Sequence, residues 1–257
     1  MRILVTNDDG IHSPGLHVLA RAIVAAGFDT IVVAPEHDMS GSGASLGHLA
    51  SGNSIEYRPC AVPGLPDTPA YAVHGTPAVC AMVARLGGFG EAPEIIASGI
   101  NPGCNTGQAT LHSGTVGAAL TGANFGARGL AVSIDWHDTT RHWETAAAYA
   151  VAGLHWLVGQ NRRYVVNVNV PNTPLDEVKG VRWARLARFG NVRSALSSAE
   201  DGRFQLEFKD SNEPLPDDVD VAVVASGHVS VTVLTGLASS DSLEVADFIH
   251  SAVHASS

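Results

Sequence analysis

Asp8 and Asp9 stand side by side in Asn7-Asp8-Asp9-Gly10, directly after the apolar run Arg2–Thr6. Two carboxylates held by a tight turn at the end of a buried strand repel each other, and desolvation raises the cost. A hard divalent cation removes that cost; the plainer alternative is a turn in which Asp8 caps and Asp9 faces solvent. A second loop, Pro35–Ser45, is rich in hydroxyls and carries Ser40, Gly41, Ser42 and Gly43, whose hydroxyl and N–H groups suit a phosphate or a metal. A third loop, Ser98–Gly107, offers Asn101 as a neutral oxygen ligand. It runs on to Ser113, Gly114 and Thr115 at the start of a helical stretch, where free N–H groups favour an anion. Asn7 and Asn105 complete the candidate substrate contacts, and Asp8, Asp9 and Asn101 are the candidate catalytic residues.

An all-oxygen donor set suits Mg²⁺ or Mn²⁺ rather than zinc. A hard metal beside an anion site points to metal-assisted hydrolysis of a phosphate ester. Charge supports that reading, since the formal net charge is −10 and the lysines are Lys179 and Lys209 alone. The positive pole for a phosphate must then come from a metal, a helix N-terminus or a few arginines. The same balance argues against binding a nucleic-acid polymer. With 257 residues, 45% hydrophobic and 16% charged, the chain can bury a sizeable core without disulfides. Cys60, Cys80 and Cys104 are widely spaced and form no CxxC, which fits a reducing compartment and excludes a zinc ribbon. The apolar N-terminal run is too short for a signal peptide, and no stretch approaches the ~20 apolar residues of a membrane span. The expectation is a soluble, cytoplasmic protein.

Elements must position these loops. Arg2–Thr6, Thr30–Ala34, Glu94–Ser98, Leu130–Ile134 and Tyr164–Val170 read as buried strands. Gly15–Ala26, Thr76–Leu86, Gly114–Phe125 and Trp143–Val158 have helical spacing. Continuous apolar strands alternating with helices predict an α/β fold: a Rossmann-like three-layer core with a parallel sheet, over residues 1–175. Ligands of such sheets bind beyond the carboxyl ends of the strands, where the three loops lie. Residues 176–257 read as a β-rich arm with strands at Val181–Ala187, Phe204–Phe208 and Val229–Leu234. Asp210–Asp220 reads as a loop, and a terminal amphipathic helix at Asp241–Ala255 opens with Asp241 and Glu244 in capping-box spacing.

Taken with their order and spacing, the motifs ILVTNDDGIHSPGL, VVAPEHDMSGSGAS, GTPA at Gly75–Ala78, SGINPGCNTG and SGTVGAAL at Ser113–Leu120 resemble the SurE (survival protein E) nucleotidases. Weaker echoes at Asn167–Pro171 and Gly227–Leu234 extend the resemblance over nearly the whole chain. It implies a metal-dependent acid phosphatase acting on nucleoside 5′- and 3′-monophosphates, and in some members on short polyphosphate. It implies one divalent ion per subunit, held by two adjacent aspartates, a serine and an asparagine, which match Asp8, Asp9, Ser40 and Asn101. Ser42 rivals Ser40 if the loop shifts. A homodimer or homotetramer with a swapped C-terminal segment is also implied. The chain departs from the family at Asn105–Ala109, which lacks an acidic stretch, and at Val233–Gly236, which lacks a proline.

Other readings compete. Asp135–Asp138 with Arg141 and His142 could form a second metal site or a substrate edge, or be a solvated loop. His112 next to Ser113 could form a nucleophile–base pair, although adjacent residues seldom face each other productively. A receiver-like signalling domain shares the acidic pair but needs an Asp after its third strand and a well-placed Lys. A dinucleotide oxidoreductase needs GxGxxG, which Gly41, Gly43 and Gly47 do not spell, and no GxxxxGK[ST] occurs.

Overall fold

In the computed structural model every residue is described except 50, 51, 53, 137–139, 189–191, 201–202, 211–214 and 237–257. The apolar runs become strands β1 (Arg2–Thr6), β2 (Asp29–Pro35), β5 (Ile95–Pro102), β6 (Arg128–Ile134) and β7 (Val165–Val170), each buried along nearly its whole length. With β3 (Tyr57–Val62), β4 (Leu65–Val73), β8 (Val181–Trp183) and β11 (Val229–Leu234) they form one nine-stranded sheet, ordered β3-β4-β2-β1-β5-β6-β7-β11-β8. From β4 to β7 every neighbouring pair is parallel; β3 and β11 join antiparallel.

Among the described residues, four helices cover the parallel part of the sheet. Helices α1 (Pro14–Ala25) and α4 (Trp143–Val158) pack on the face that holds Ile3, Val5 and Val132. Helices α2 (Pro77–Arg85) and α3 (Gly114–Asn124) pack on the face that holds Leu4, Ile31 and Ile96. The alternation Ile3-Leu4-Val5 feeds both faces because successive strand side chains point to opposite sides. Ser13, Thr76 and Ser113 cap α1, α2 and α3 with their side-chain oxygens.

The chain winds outward from β1 through β2 to β4, then crosses back to lay β5 on the other side of β1 and continues to β6 and β7. The direction of winding therefore reverses between β1 and β5. A crevice opens at the carboxyl ends of the strands at such a reversal, and there the first and third loops emerge.

Close approach lets α3 sit over the crevice. A Cβ on Gly122 would lie 2.2 Å from Ile96 Cγ1. Gly122→Ala is expected to cost about 1–3 kcal/mol through overpacking, read as a lower urea midpoint with an unchanged slope.

Several elements differ from the sequence reading. The β3–β4 hairpin was not expected: Pro59, Pro66 and Pro69 argue against strand, and the sheet admits them only near its edge. Strand β5 runs beyond Ser98 to Pro102 after a register shift, so Asn101 lies on the strand's end rather than in the loop. The strand expected over Val181–Ala187 stops at Trp183. The segment expected to be a loop ends in a short helix, α5 (Asp220–Ala225). The helix expected at Asp241–Ala255 lies outside the described residues. Strands β9 (Val192–Glu200) and β10 (Arg203–Asp210) form a separate antiparallel hairpin, while β8 and β11 return to the main sheet. Among the described residues no helix is long and apolar enough to cross a membrane.

Candidate active site

The turn after β1 is fixed first. Asn7 is fully buried, and its side-chain nitrogen donates to the Gly10 carbonyl at 3.2 Å and to Ser13 Oγ at 2.7 Å. Gly10, at φ +97°, lies so close to the His37 backbone that a Cβ would sit 3.2 Å from His37 C. The Met39 N–H donates to the Asp8 carbonyl at 2.7 Å, which seats the second loop against the first.

Asp8 is only 4% exposed, and the first turn of α3 closes on it. The Thr115 hydroxyl donates to Asp8 Oδ1 at 2.5 Å. Burial pushes the Asp8 carboxyl above the usual carboxylate range, while the Thr115 hydroxyl and the backbone N–H groups of Thr115 and Gly114 pull it back. The positive end of α3 thus faces a protein carboxylate. Asp9 is pushed up to about 7, first by burial and then by the neighbouring charges of Asp8 and Asp38; Asn7 opposes this with a hydrogen bond.

The second loop lies on α3. The Gly43 N–H donates to the His112 carbonyl at 3.1 Å, and a Cβ on Gly117 would be 2.2 Å from Gly43 O. A Cβ on Gly114 would lie 2.7 Å from Asp8 Cβ, 2.8 Å from Asp8 Oδ2 and 2.8 Å from Ser42 Oγ. Gly114 therefore lets the Asp8 carboxylate and the Ser42 hydroxyl meet on one side of the helix start.

The candidate residues divide accordingly. Asp8, Asp9, Ser42, Gly43, Gly114 and Thr115 come together. Asn101 extends β5 beside β1, whose Thr6 pairs with Ser98, and its Nδ2 donates to the Gly103 carbonyl at 2.6 Å. That leaves its side-chain oxygen as the atom with which it could hold a ligand. Ser40 is exposed and its hydroxyl donates to Asp38 Oδ1 at 2.6 Å, whereas the Ser42 hydroxyl, two residues on, lies against the start of α3 beside Asp8. The Asn7 side-chain nitrogen is engaged by the turn, while its Oδ1 is buried without a hydrogen-bond partner among the described residues. Asn105 is held structurally: its N–H donates to Asn169 Oδ1 and its Nδ2 to Ser133 Oγ, while Asn167 and Asn169 donate to its carbonyl. The Ser113 hydroxyl accepts from the Val116 N–H as a helix cap, and the Ser42 and Gly43 N–H groups are bonded to Met39 and His112 carbonyls. Gly41 lies exposed at the loop's outer turn. His137 and Asp138 lie outside the described residues.

Two features were missed by sequence reading. Asp38 brings a third carboxylate toward Asp9. Asp220 anchors the third loop by accepting the Gly107 N–H at 2.7 Å. The signal for Asp38 was present in Glu36-His37-Asp38, within a loop already read as functional.

The donor chemistry fits a hard cation. Among the described residues no group of three or more His, Cys, Asp and Glu side chains is arranged to hold a metal. Two carboxylates and the Ser42 hydroxyl lie together instead, and Asn101 at the end of β5 offers a carboxamide oxygen, so the available donors are all oxygen. Asp9 Oδ2 and Ser42 Oγ are both buried without a hydrogen-bond partner among the described residues. Buried polar atoms are seldom left so, and a divalent ion would satisfy these two while offsetting the repulsion between Asp8 and Asp9.

Comparison with known proteins decides the family. The profile of the family described as "Survival protein SurE" matches residues 3–192. The chain belongs to the SurE family. Among SurE relatives, the 5′-nucleotidase SurE of Aeromonas hydrophila is 37% identical over 249 residues, covering 91% of this chain and 92% of that one. The 5′-nucleotidase SurE of Haemophilus influenzae is 36% identical over 246 residues, covering 90% of each chain. The crystal structure of the SurE protein from Aquifex aeolicus superposes with a TM-score of 0.80 at 26% identity, covering 97% of this chain and all of that one. The SurE resemblance of the sequence motifs and the α/β architecture are both upheld.

Proposed function

We propose that this SurE chain is a divalent-metal-dependent phosphomonoesterase that hydrolyses nucleoside 5′- and 3′-monophosphates to nucleoside and phosphate, with short polyphosphate as a further substrate. Family membership and the names of its relatives support the nucleotidase class. The observation that carries the metal dependence is the pair of partnerless buried oxygens, Asp9 Oδ2 and Ser42 Oγ, beside two adjacent carboxylates.

Asp8, Asp9 and Asn101, with Ser40 or its rival Ser42, would hold one Mg²⁺ or Mn²⁺. Such an ion supplies Lewis-acid polarisation of a phosphoryl oxygen and lowers the pKa of water. The chain's own residues do the rest. Thr115 and the first amides of α3 orient Asp8 and favour its charged form. Gly114 lets Ser42 approach, and the Gly43–His112 bond fixes the loop that bears it. The phosphate would rest near Gly41–Gly43 and Ser113–Thr115, at the start of α3.

The test is phosphate release from a panel of nucleoside 5′- and 3′-monophosphates and short polyphosphate, with and without chelator. Turnover is expected to fall by about 100-fold or more on metal removal and to return with Mg²⁺ or Mn²⁺. Equal rates after exhaustive chelation would overturn the metal assignment. The same proposal includes assembly into a homodimer or homotetramer, supported by an apolar groove between α4 and β11 beside the exposed Trp156 and Trp183. Sedimentation showing a monomer at micromolar concentration would refute that part.

A further inference from the structure

Asp220 is fully buried, yet it takes no part in the chemistry above. Its Oδ2 accepts the Gly107 N–H at 2.7 Å, across 113 residues of sequence. Its Oδ1 accepts the N–H groups of Ala187 at 3.0 Å and Val221 at 2.9 Å. One carboxylate therefore joins three segments: the third loop, the stretch after β8 that leads toward the β9–β10 hairpin, and the helix on which the chain returns from it.

The two limbs at the hairpin's root are otherwise joined to each other. The Arg185 N–H donates to the Asp218 carbonyl at 3.1 Å, and the Asp220 N–H to the Arg185 carbonyl at 3.0 Å. The Arg185 guanidinium meets the Asp218 carboxylate at 2.7 and 3.0 Å. That root thus has its own fastenings and does not depend on Gly107.

The loop does depend on Asp220. Asn105 is tied to β7 through Asn167 and Asn169, and two residues later the tie passes to Asp220. From Gly107, at φ +59°, a 3₁₀ turn runs to His112, whose carbonyl accepts the Gly43 N–H, and then Ser113 caps α3. The turn starting at Gly107 thus ends where both Ser42 and Asp8 are seated.

Resting on the nucleotidase reading for its kinetic part, we infer that Asp220 is a positioning residue of the active site, setting the Gly107–His112 turn from the root of the β9–β10 hairpin. It touches neither substrate nor metal ligand. A carboxylate is required because two oxygens must both accept; an amide can serve only one of these sides.

Asp220→Asn separates the two sides. The single amide oxygen can keep the Ala187 and Val221 N–H groups, which leaves an NH₂ group facing the Gly107 N–H, donor against donor. In this variant amide exchange over Thr106–His112 is expected to speed up about tenfold or more, while Val165–Val170 exchanges as in the parent. With a nucleoside monophosphate, kcat is expected to fall about tenfold, with a smaller change in KM. Asp220→Glu, which restores two accepting oxygens, is expected to recover part of the protection at Thr106–His112. Unchanged exchange over that segment in Asp220→Asn, or exchange that rises equally in β7, would overturn the inference. So would kinetic constants within twofold of an active parent. A parent inactive on the whole panel would refute the nucleotidase reading instead, and the exchange result would then decide the placement of the turn by itself.

Discussion

Asp8→Asn is expected to lower kcat/KM for a nucleoside monophosphate by about 10³-fold or more, with a melting temperature within a few degrees of the parent. The amide keeps the shape of the side chain and an oxygen that can accept from the Thr115 hydroxyl. It loses the charge that would bind a cation at a site with few basic residues. The fold should tolerate the change, because Asp8 is buried against Asp9 and the loss of one charge relieves their repulsion. Titration with Mn²⁺ should show affinity falling together with turnover. Near-parental hydrolysis by a folded Asp8→Asn would remove Asp8 from the chemistry.

Gly117→Ala should lower kcat/KM by about 10²-fold while altering no donor atom, since a misplacement of about 1 Å can cost that much. The added methyl would sit 2.2 Å from Gly43 O and 2.4 Å from Gly43 C. Backbone cannot yield as a flexible side chain can, so the loop carrying Ser42 must lift from α3. The site is then opened from behind its donors. Steady-state kinetics with a circular-dichroism melt would check this: retained helix content with collapsed turnover is expected, and parental kinetics would mean that the loop's seat on α3 is immaterial. Gly122→Ala, on the same helix but packed on Ile96, should lose stability and keep turnover in the fraction that stays folded.

Much of this architecture was legible because burial on both faces writes itself as continuous apolar sequence. Arg2–Thr6 and Trp143–Val158 were read with their observed limits, and the helices opening near Thr76 and Gly114 were read from their helical spacing. The β3–β4 hairpin was hidden because its prolines mask the strand signal and its outer strand is largely exposed. Asp8, Asp9 and Asn101 stood out as candidates because carboxylates and carboxamides at strand ends are conspicuous. Which of Ser40 and Ser42 is the more buried was not legible, because two hydroxyls one glycine apart look alike in sequence. That the first amides of α3 face Asp8 also escaped the sequence, since a helix N-terminus does not say which anion will sit on it. Asp220 was lost in a stretch read as a polar loop, because a bond spanning 113 residues has no local pattern.

The link between Asp8 and Thr115 spans 107 positions of the chain. It forms only once β1 has gained β5 on one side and α3 has docked over β5 and β6. Contacts so distant along the sequence come late, after the nearer pairing of β1 with β2. A refolding chain would then recover its helical signal before it could take up a divalent ion, and the appearance of tight Mn²⁺ uptake would mark the last stage of its maturation.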